Sequence, residues 1–178
     1  MKIPLQKLKA IILYFSTHTD TRFLGKVKLM KLFYFLDFMH VKKHGVPVTY
    51  DCYVNLEHGP IPSAIKNLVD SAADDSDNSF LSDIIKFERP EGTNMYRIVP
   101  TKSFTERDEK YLSKNEIEIL QKICLRFGDK NTKYIEDASH EEAPWKETSA
   151  LDTISYTLAA KDNDCLVSEK DIELLLKL

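Results

Sequence analysis

The chain has 178 residues, of which 43% are hydrophobic and 30% charged, and a formal net charge of −3. This length and balance fit one folded domain with its own core, and they exclude a disordered or collagen-like chain or a mini-protein held together by metal. The three cysteines, Cys52, Cys124 and Cys165, are widely spaced with no CxxC pair, so neither a disulfide framework nor a zinc ribbon is expected and a reducing cytoplasm fits.

The N-terminus lacks the apolar run and small-residue cleavage site of an export signal, and Lys26, Lys28, Lys31 and Asp37 interrupt the most apolar stretch. A soluble protein with no membrane contact is expected. Charge is uneven. Residues 1–50 hold nine Lys/Arg against two Asp/Glu, which leaves sixteen against twenty-six in the remainder. Such asymmetry suits an anionic partner at the N-terminal face, or mutual attraction of the two parts.

In chain order, Leu5, Leu8, Ile11, Ile12 and Phe15 fall at helical spacing behind Pro4 and predict a first amphipathic helix, followed by a polar link from Thr17 to Arg22. Val27 to Val41 is apolar on nearly every side, the pattern of a central helix. His44 and Gly45 supply a terminal cation and a C-cap, and Pro47 prevents the helix from resuming. Val48 to Leu56 reads as extended, Gly59-Pro60-Ile61-Pro62 as a turn, and Pro62 as the opening of a third helix carrying Ile65, Leu68, Val69 and Ala72. Beyond an acidic loop from Asp74 to Ser79, Phe80 to Phe87 and Met95 to Val99 flank Pro90-Glu91-Gly92 and predict a β-hairpin. Thr105 to Lys110 reads as a charged connector. Ser113 and Glu116 form a capping box for a helix that turns Ile117, Leu120, Ile123, Cys124 and Phe127 inward and stops at Gly128. Asn131 to Ser139 suits a short helix and Glu142 to Trp145 a turn around Pro144. Ser168 to Leu178 reads as a last helix burying Ile172, Leu175 and Leu176. Residues 149–165 form a connection that no pattern places. The expected fold is α+β and mainly helical: a single domain over residues 1–178 with a small hairpin or antiparallel sheet.

Several groupings carry chemistry in principle. His40 and His44, at i and i+4, lie on one helical face, and Cys52 and His58 could complete a metal set. The same histidines also suit a helix C-terminus, and the zincin glutamate is missing. Cys52 with His44 or His58 would make a thiol nucleophile only if the geometry held them together, and a small buried hydrophobe is the simpler role. His140-Glu141-Glu142, with Glu136 and Asp137, is either an acid–base cluster or a solvated acidic turn. No GxGxxG, P-loop or nucleophile elbow occurs, and no catalytic residue, cofactor or metal is assigned. Three helices followed by a hairpin is also the order of a winged helix. The helix that would read DNA, Pro62 to Ala73, offers only Lys66 and runs into Asp70, Asp74, Asp75 and Asp77, which disfavours nucleic acid.

Lys28-Leu29-x-Lys31-Leu32-x-Tyr34-Phe35-x-Asp37-Phe38, then Gly45-x-Pro47, Tyr53-Val54, Gly59-Pro60-x-Pro62 and later Ser139-His140-x-x-x-Pro144-Trp145-Lys146 together resemble the SocA-like antitoxin, or Panacea, domain family. The resemblance spans roughly Leu5 to Lys146. It implies a non-enzymatic antitoxin of bacteria or phages that binds and neutralises a cognate toxin encoded by an adjacent gene. One family variation is an adaptor delivering the toxin to a protease, and homo-oligomer contacts are a further option. Some relatives carry an N-terminal DNA-binding domain. This chain begins on the shared domain, so autoregulation through such a domain is not expected.

Within the motif, Leu29, Leu32, Phe35 and Phe38 read as core, while Gly45, Pro47, Gly59, Pro60 and Pro62 set backbone geometry and His140 and Pro144 belong to the later structural element. Lys28, Lys31, Tyr34 and Asp37 form a polar row. That row reads either as an internal network reaching the His58-Gly59-Pro60 turn or as the floor of a partner groove, with His58 at its edge and Trp145 as an aromatic anchor.

Overall fold

The computed structural model describes residues 3–75, 79–93 and 95–178. Its organising element is α2 (Lys26–His44), in which every residue from Lys28 to Phe38 is buried. A helix with no polar face must be surrounded. Around it pack α1 (Leu5–His18), α3 (Ser63–Asp74), α5 (Lys114–Phe127), α6 (Thr132–His140) and a 3-10 helix (Tyr156–Lys161), and one continuous hydrophobic cluster joins them. Each Leu or Phe fully buried in it contributes about 1.5–3 kcal/mol. The remaining helical pieces are α4 (Glu106–Glu109), α7 (Ala143–Lys146) and α8 (Glu169–Leu175).

The start and stop signals act as their chemistry requires. Gly45 takes φ 79° and donates its N–H to the Val41 carbonyl at 2.8 Å, and a side chain there would collide with Leu175 of α8. Ser113 accepts from the Glu116 N–H and its own N–H donates to the Glu116 carboxylate, the reciprocal box that opens α5. Asn131 and Ser168 cap α6 and α8 by accepting the N–H groups of Tyr134 and Asp171.

Two small antiparallel sheets complete the structure. β1 (Tyr53–Leu56) lies between β2 (Gly59–Pro62) and β5 (Thr153–Ile154), while β3 (Ile85–Glu88) pairs with β4 (Arg97–Pro100). Gly25 bridges to Arg97, so the β3–β4 hairpin docks against the entry to α2.

Several sequence expectations need correction. The Gly-Pro-Ile-Pro element is a strand, and the turn lies at Glu57-His58. Pro60 and Pro62 share one parity, so their missing N–H groups fall on the open edge of β2 while Ile61 and Gly59 face β1. Pro62 precedes α3 as its cap residue rather than lying inside its first turn. The first helix runs on through the polar link to His18. The Thr105–Lys110 connector holds α4, boxed by Thr105 and Asp108. On α5, Ile119 is buried where Ile117 and Cys124 are only partly so, because the buried line follows Glu116, Leu120, Ile123 and Phe127. The first hairpin strand begins only at Ile85, and Phe80 is exposed. Part of the acidic loop, residues 76–78, lies outside the described residues. Residues 149–165 are β5 and the 3-10 helix, bound to the core.

The charge asymmetry is largely consumed inside the molecule. Lys7 pairs with Glu116, Lys9 with Asp83, Lys26 with Asp70 and Lys43 with Glu118, each cation from the first fifty residues meeting a carboxylate beyond them. Lys42 is the most enclosed of the ion-paired lysines. Its Nζ lies 2.5 Å from Glu142, 2.9 Å from Asp162 and 3.0 Å from Asp164, which fastens α7 and the segment after the 3-10 helix to α2. Burial alone would lower the Lys42 pKa, but these carboxylates overcome it and hold the ammonium above its usual range. Replacing Lys42 by Met leaves Glu142 and Asp162 nearly enclosed without a cation. Urea denaturation should show a loss of about 3–5 kcal/mol, and an unchanged midpoint would mean that the cluster contributes nothing.

Candidate functional site

Lys28, Lys31, Tyr34 and Asp37 recur every three residues along α2, and all four are fully buried. Asp37 lies at the centre of the densest polar cluster. Its Oδ1 accepts the Val48 N–H at 2.8 Å and the Thr49 N–H at 2.7 Å, and its Oδ2 accepts the hydroxyls of Thr49, of Tyr53 at 2.9 Å and of Tyr156 at 3.3 Å. Burial pushes its carboxyl up from 3.8 to about 6, against the opposing pull of the hydrogen bonds from Thr49, Tyr53 and Val48. The same burial raises the Tyr53 and Tyr156 phenols, and the nearby Asp37 charge adds to it. Both remain hydroxyl donors at neutral pH.

Asp51 extends the cluster. It accepts the N–H groups of Ala64 at 3.0 Å and Ile65 at 2.8 Å, satisfying the start of α3 where Pro62 has no capping side chain, and its carbonyl accepts the Tyr156 hydroxyl at 2.7 Å.

The two lysines of the row each end on backbone carbonyls. Lys28 donates to Gly128 at 3.0 Å and Lys130 at 2.6 Å, a cation placed at the C-terminal end of α5. Lys31 donates to Pro60 at 2.9 Å, and burial lowers its pKa to about 7. Gly59 makes this approach possible. At φ 87°, a Cβ on it would lie 2.7 Å from the Ser139 Oγ and 3.0 Å from the Lys31 Nζ. Tyr34 packs edge-on against Phe35 and Tyr53 and tilted against Phe38, and its hydroxyl is buried with no hydrogen-bond partner among the described residues.

The later motif element sits across β1. His140 stacks on Trp145 with ring centroids 4.0 Å apart, and the indole N–H donates to the Leu56 carbonyl at 3.4 Å. Pro144 is buried at the start of α7, while Trp145 keeps partial exposure. His58 is exposed at the β1–β2 turn, 3.4 Å from Glu136. The motif residues thus divide: the α2 row is inside the protein, and His58 and Trp145 reach its surface.

The other groupings disperse. The His40 ring contacts the Val46 carbonyl at 2.6 Å and lies 4.6 Å from the His44 ring. The exposed Cys52 thiol has Thr153 as its neighbour, at 3.7 Å. Among the described residues no group of three or more His, Cys, Asp and Glu side chains is placed to hold a metal ion. Glu142 turns to Lys42, Glu141 to Lys146 and Asp137 to Lys133, so the acidic stretch around His140 does not converge. A surface hollow lined by Lys102, Ser103, Thr105, Glu106, Arg107 and Asp108 contains none of the motif residues. No helix among the described residues is long and apolar enough to cross a membrane.

Sequence reasoning did not single out Thr49, Asp51, Asn55 or Tyr156. Asp51 next to an extended run ahead of a Pro-opened helix was the one local signal, since such a helix needs a cap from elsewhere.

A family model described as antitoxin SocA-like, Panacea domain, matches residues 29–146, well over half of the chain. Neither curated proteins nor solved structures give a match.

Asp37→Ala leaves two amides and the Thr49 and Tyr53 hydroxyls without their acceptor, while Tyr156 keeps the Asp51 carbonyl; at ~1–3 kcal/mol for each buried donor that stays unpaired, stability should fall by at least about 3 kcal/mol. Asp37→Asn should cost far less, because its carbonyl can take the two amides while the hydroxyls rotate to accept from its NH₂. Folded Asp37 also holds its proton more tightly than the unfolded chain does. That contribution is complete below about pH 4 and is lost as pH rises to about 6. Urea titrations from pH 4 to 7 should therefore show wild type losing roughly 3 kcal/mol relative to Asp37→Asn, at ~1.4 kcal/mol per pH unit, with no further change above pH 6. A flat difference would rule out the raised carboxyl.

Proposed function

The chain belongs to the antitoxin SocA-like, Panacea domain family, and from that premise we propose that it is a non-enzymatic antitoxin that neutralises a cognate toxin by binding it. The toxin is a protein encoded by the adjacent gene in a bacterial or phage pair, and the encounter takes place in the cytoplasm. The observation carrying this reading is the family match together with the fate of its signature. The ionisable residues of the α2 motif are tied to backbone amides, carbonyls and hydroxyls inside the protein, and so serve the scaffold rather than a reaction. A rigid scaffold leaves recognition to the surface around it, which includes His58 and Trp145. The basic first fifty residues offer little to nucleic acid, since Lys7, Lys9, Lys26, Lys42 and Lys43 are engaged with carboxylates of the same chain and Lys28 and Lys31 with buried backbone carbonyls.

Inducible expression of the neighbouring gene alone should arrest growth, and co-expression of this chain should restore it. A harmless neighbour, or an arrest that this chain leaves untouched, would contradict the proposal.

A further inference from the structure

The sheet β2-β1-β5 has an inner and an outer face. On β1, Tyr53 and Asn55 are buried, whereas Val54 and Leu56 alternate to the other side and are half-exposed. Trp145 lies beside Leu56 through its indole hydrogen bond. The chain then returns along β1 and presents Leu151, whose N–H donates to the Asn55 carbonyl at 2.8 Å.

Leu151 is unusual in two respects. Its φ is 70°, a left-handed conformation that an L-residue with a bulky side chain adopts only under constraint, and it is 77% exposed. The turn is anchored by Asn55. Its side-chain amide donates to the carbonyls of Trp145 at 3.3 Å and Thr148 at 2.5 Å, and its backbone N–H to that of Asp152 at 2.9 Å. A buried polar fixture thus holds an aliphatic side chain in solvent at a left-handed position, on the segment that pairs with the strand carrying Val54 and Leu56. The left-handed φ belongs to the Ser149–Asp152 turn, closed by the Asp152 N–H on the Ser149 carbonyl at 3.1 Å, and what is unusual is that a leucine rather than a glycine or asparagine occupies it.

Charge indicates what covers the patch. Lys146 and Lys161 are already neutralised by Glu141 and Glu147. Glu57, adjoining Leu56, and Asp152, adjoining Leu151, are exposed and have no ion pair among the described residues. The border is therefore net negative and complements a cationic surface.

We propose that Val54, Leu56, Trp145 and Leu151, bordered by Glu57 and Asp152, form the surface on which a basic face of the toxin protein docks. This rests on the antitoxin reading above.

The test measures calorimetric binding of the full chain to the purified product of the adjacent gene, the protein used in the growth experiment. Leu151→Gly should leave the thermal midpoint unchanged or raised, because glycine adopts this φ freely, while weakening binding at least about tenfold. The double variant Glu57→Lys/Asp152→Lys should bind about tenfold more weakly at low salt and lose the salt dependence seen with wild type. If wild type binds and both variants bind equally well, this surface is wrong while the antitoxin reading stands. Wild type failing to bind that product overturns both. Concentration-dependent self-association that Leu151→Gly abolishes would assign the surface to a second copy of the chain and overturn the toxin assignment.

Discussion

A carboxylate in an apolar core is tolerable only if enough donors converge on it, and around Asp37 they do. Those donors come from three places: the loop just after α2, strand β1 and the 3-10 helix. Their common acceptor fixes where the chain goes once it leaves α2, how β1 lies across that helix, and where a segment more than a hundred residues later returns. Asp51, held in that same loop, then caps α3. One buried side chain thus sets the relative placement of four elements, and the apolar packing of α2 fills the space between them.

The cations obey a similar rule. Lys28 and Lys31 are drawn into the protein by backbone carbonyls and Lys42 by three carboxylates, so each ties α2 to a different later part of the chain. Buried charge of this kind is weak evidence for stability, since the desolvation cost offsets much of the attraction. Its clearer effect is on register. A one-turn slip of α2 would separate every one of these groups from its partner at once. Such a scaffold suits a protein that presents a fixed surface, and the left-handed Leu151 is held on that surface by the buried Asn55.

The local grammar of the chain was legible beforehand. Apolar periodicity gave α1, a run apolar on nearly every side gave α2, Gly45 and Pro47 gave the end of α2, and the Ser113–Glu116 box gave the start of α5, because each signal acts within a few residues. The strand at Gly59–Pro62 was not legible, because prolines are acceptable in a strand only at an open edge, and edges are a property of the sheet rather than of the segment. Residues 149–165 escaped for the same reason. Tyr156 and the two residues of β5 take their conformation from Asp37 and β1, distant in sequence. The polar spacing of Lys28, Lys31, Tyr34 and Asp37 was visible as a row, but whether such a row faces water or the core depends on what later elements bring to it.

If Asp37 organises the fold, its carboxylate holds the Val48–Thr49 loop as firmly as the core itself. Native-state hydrogen exchange at the Val48 and Thr49 amides tests it directly, because neither residue lies in a helix or strand and, among the described residues, Asp37 alone accepts their N–H groups. Both amides should exchange only through global unfolding, with protection equal to that of the middle of α2. Exchange at the rate of an ordinary surface loop, with α2 still protected, would contradict it.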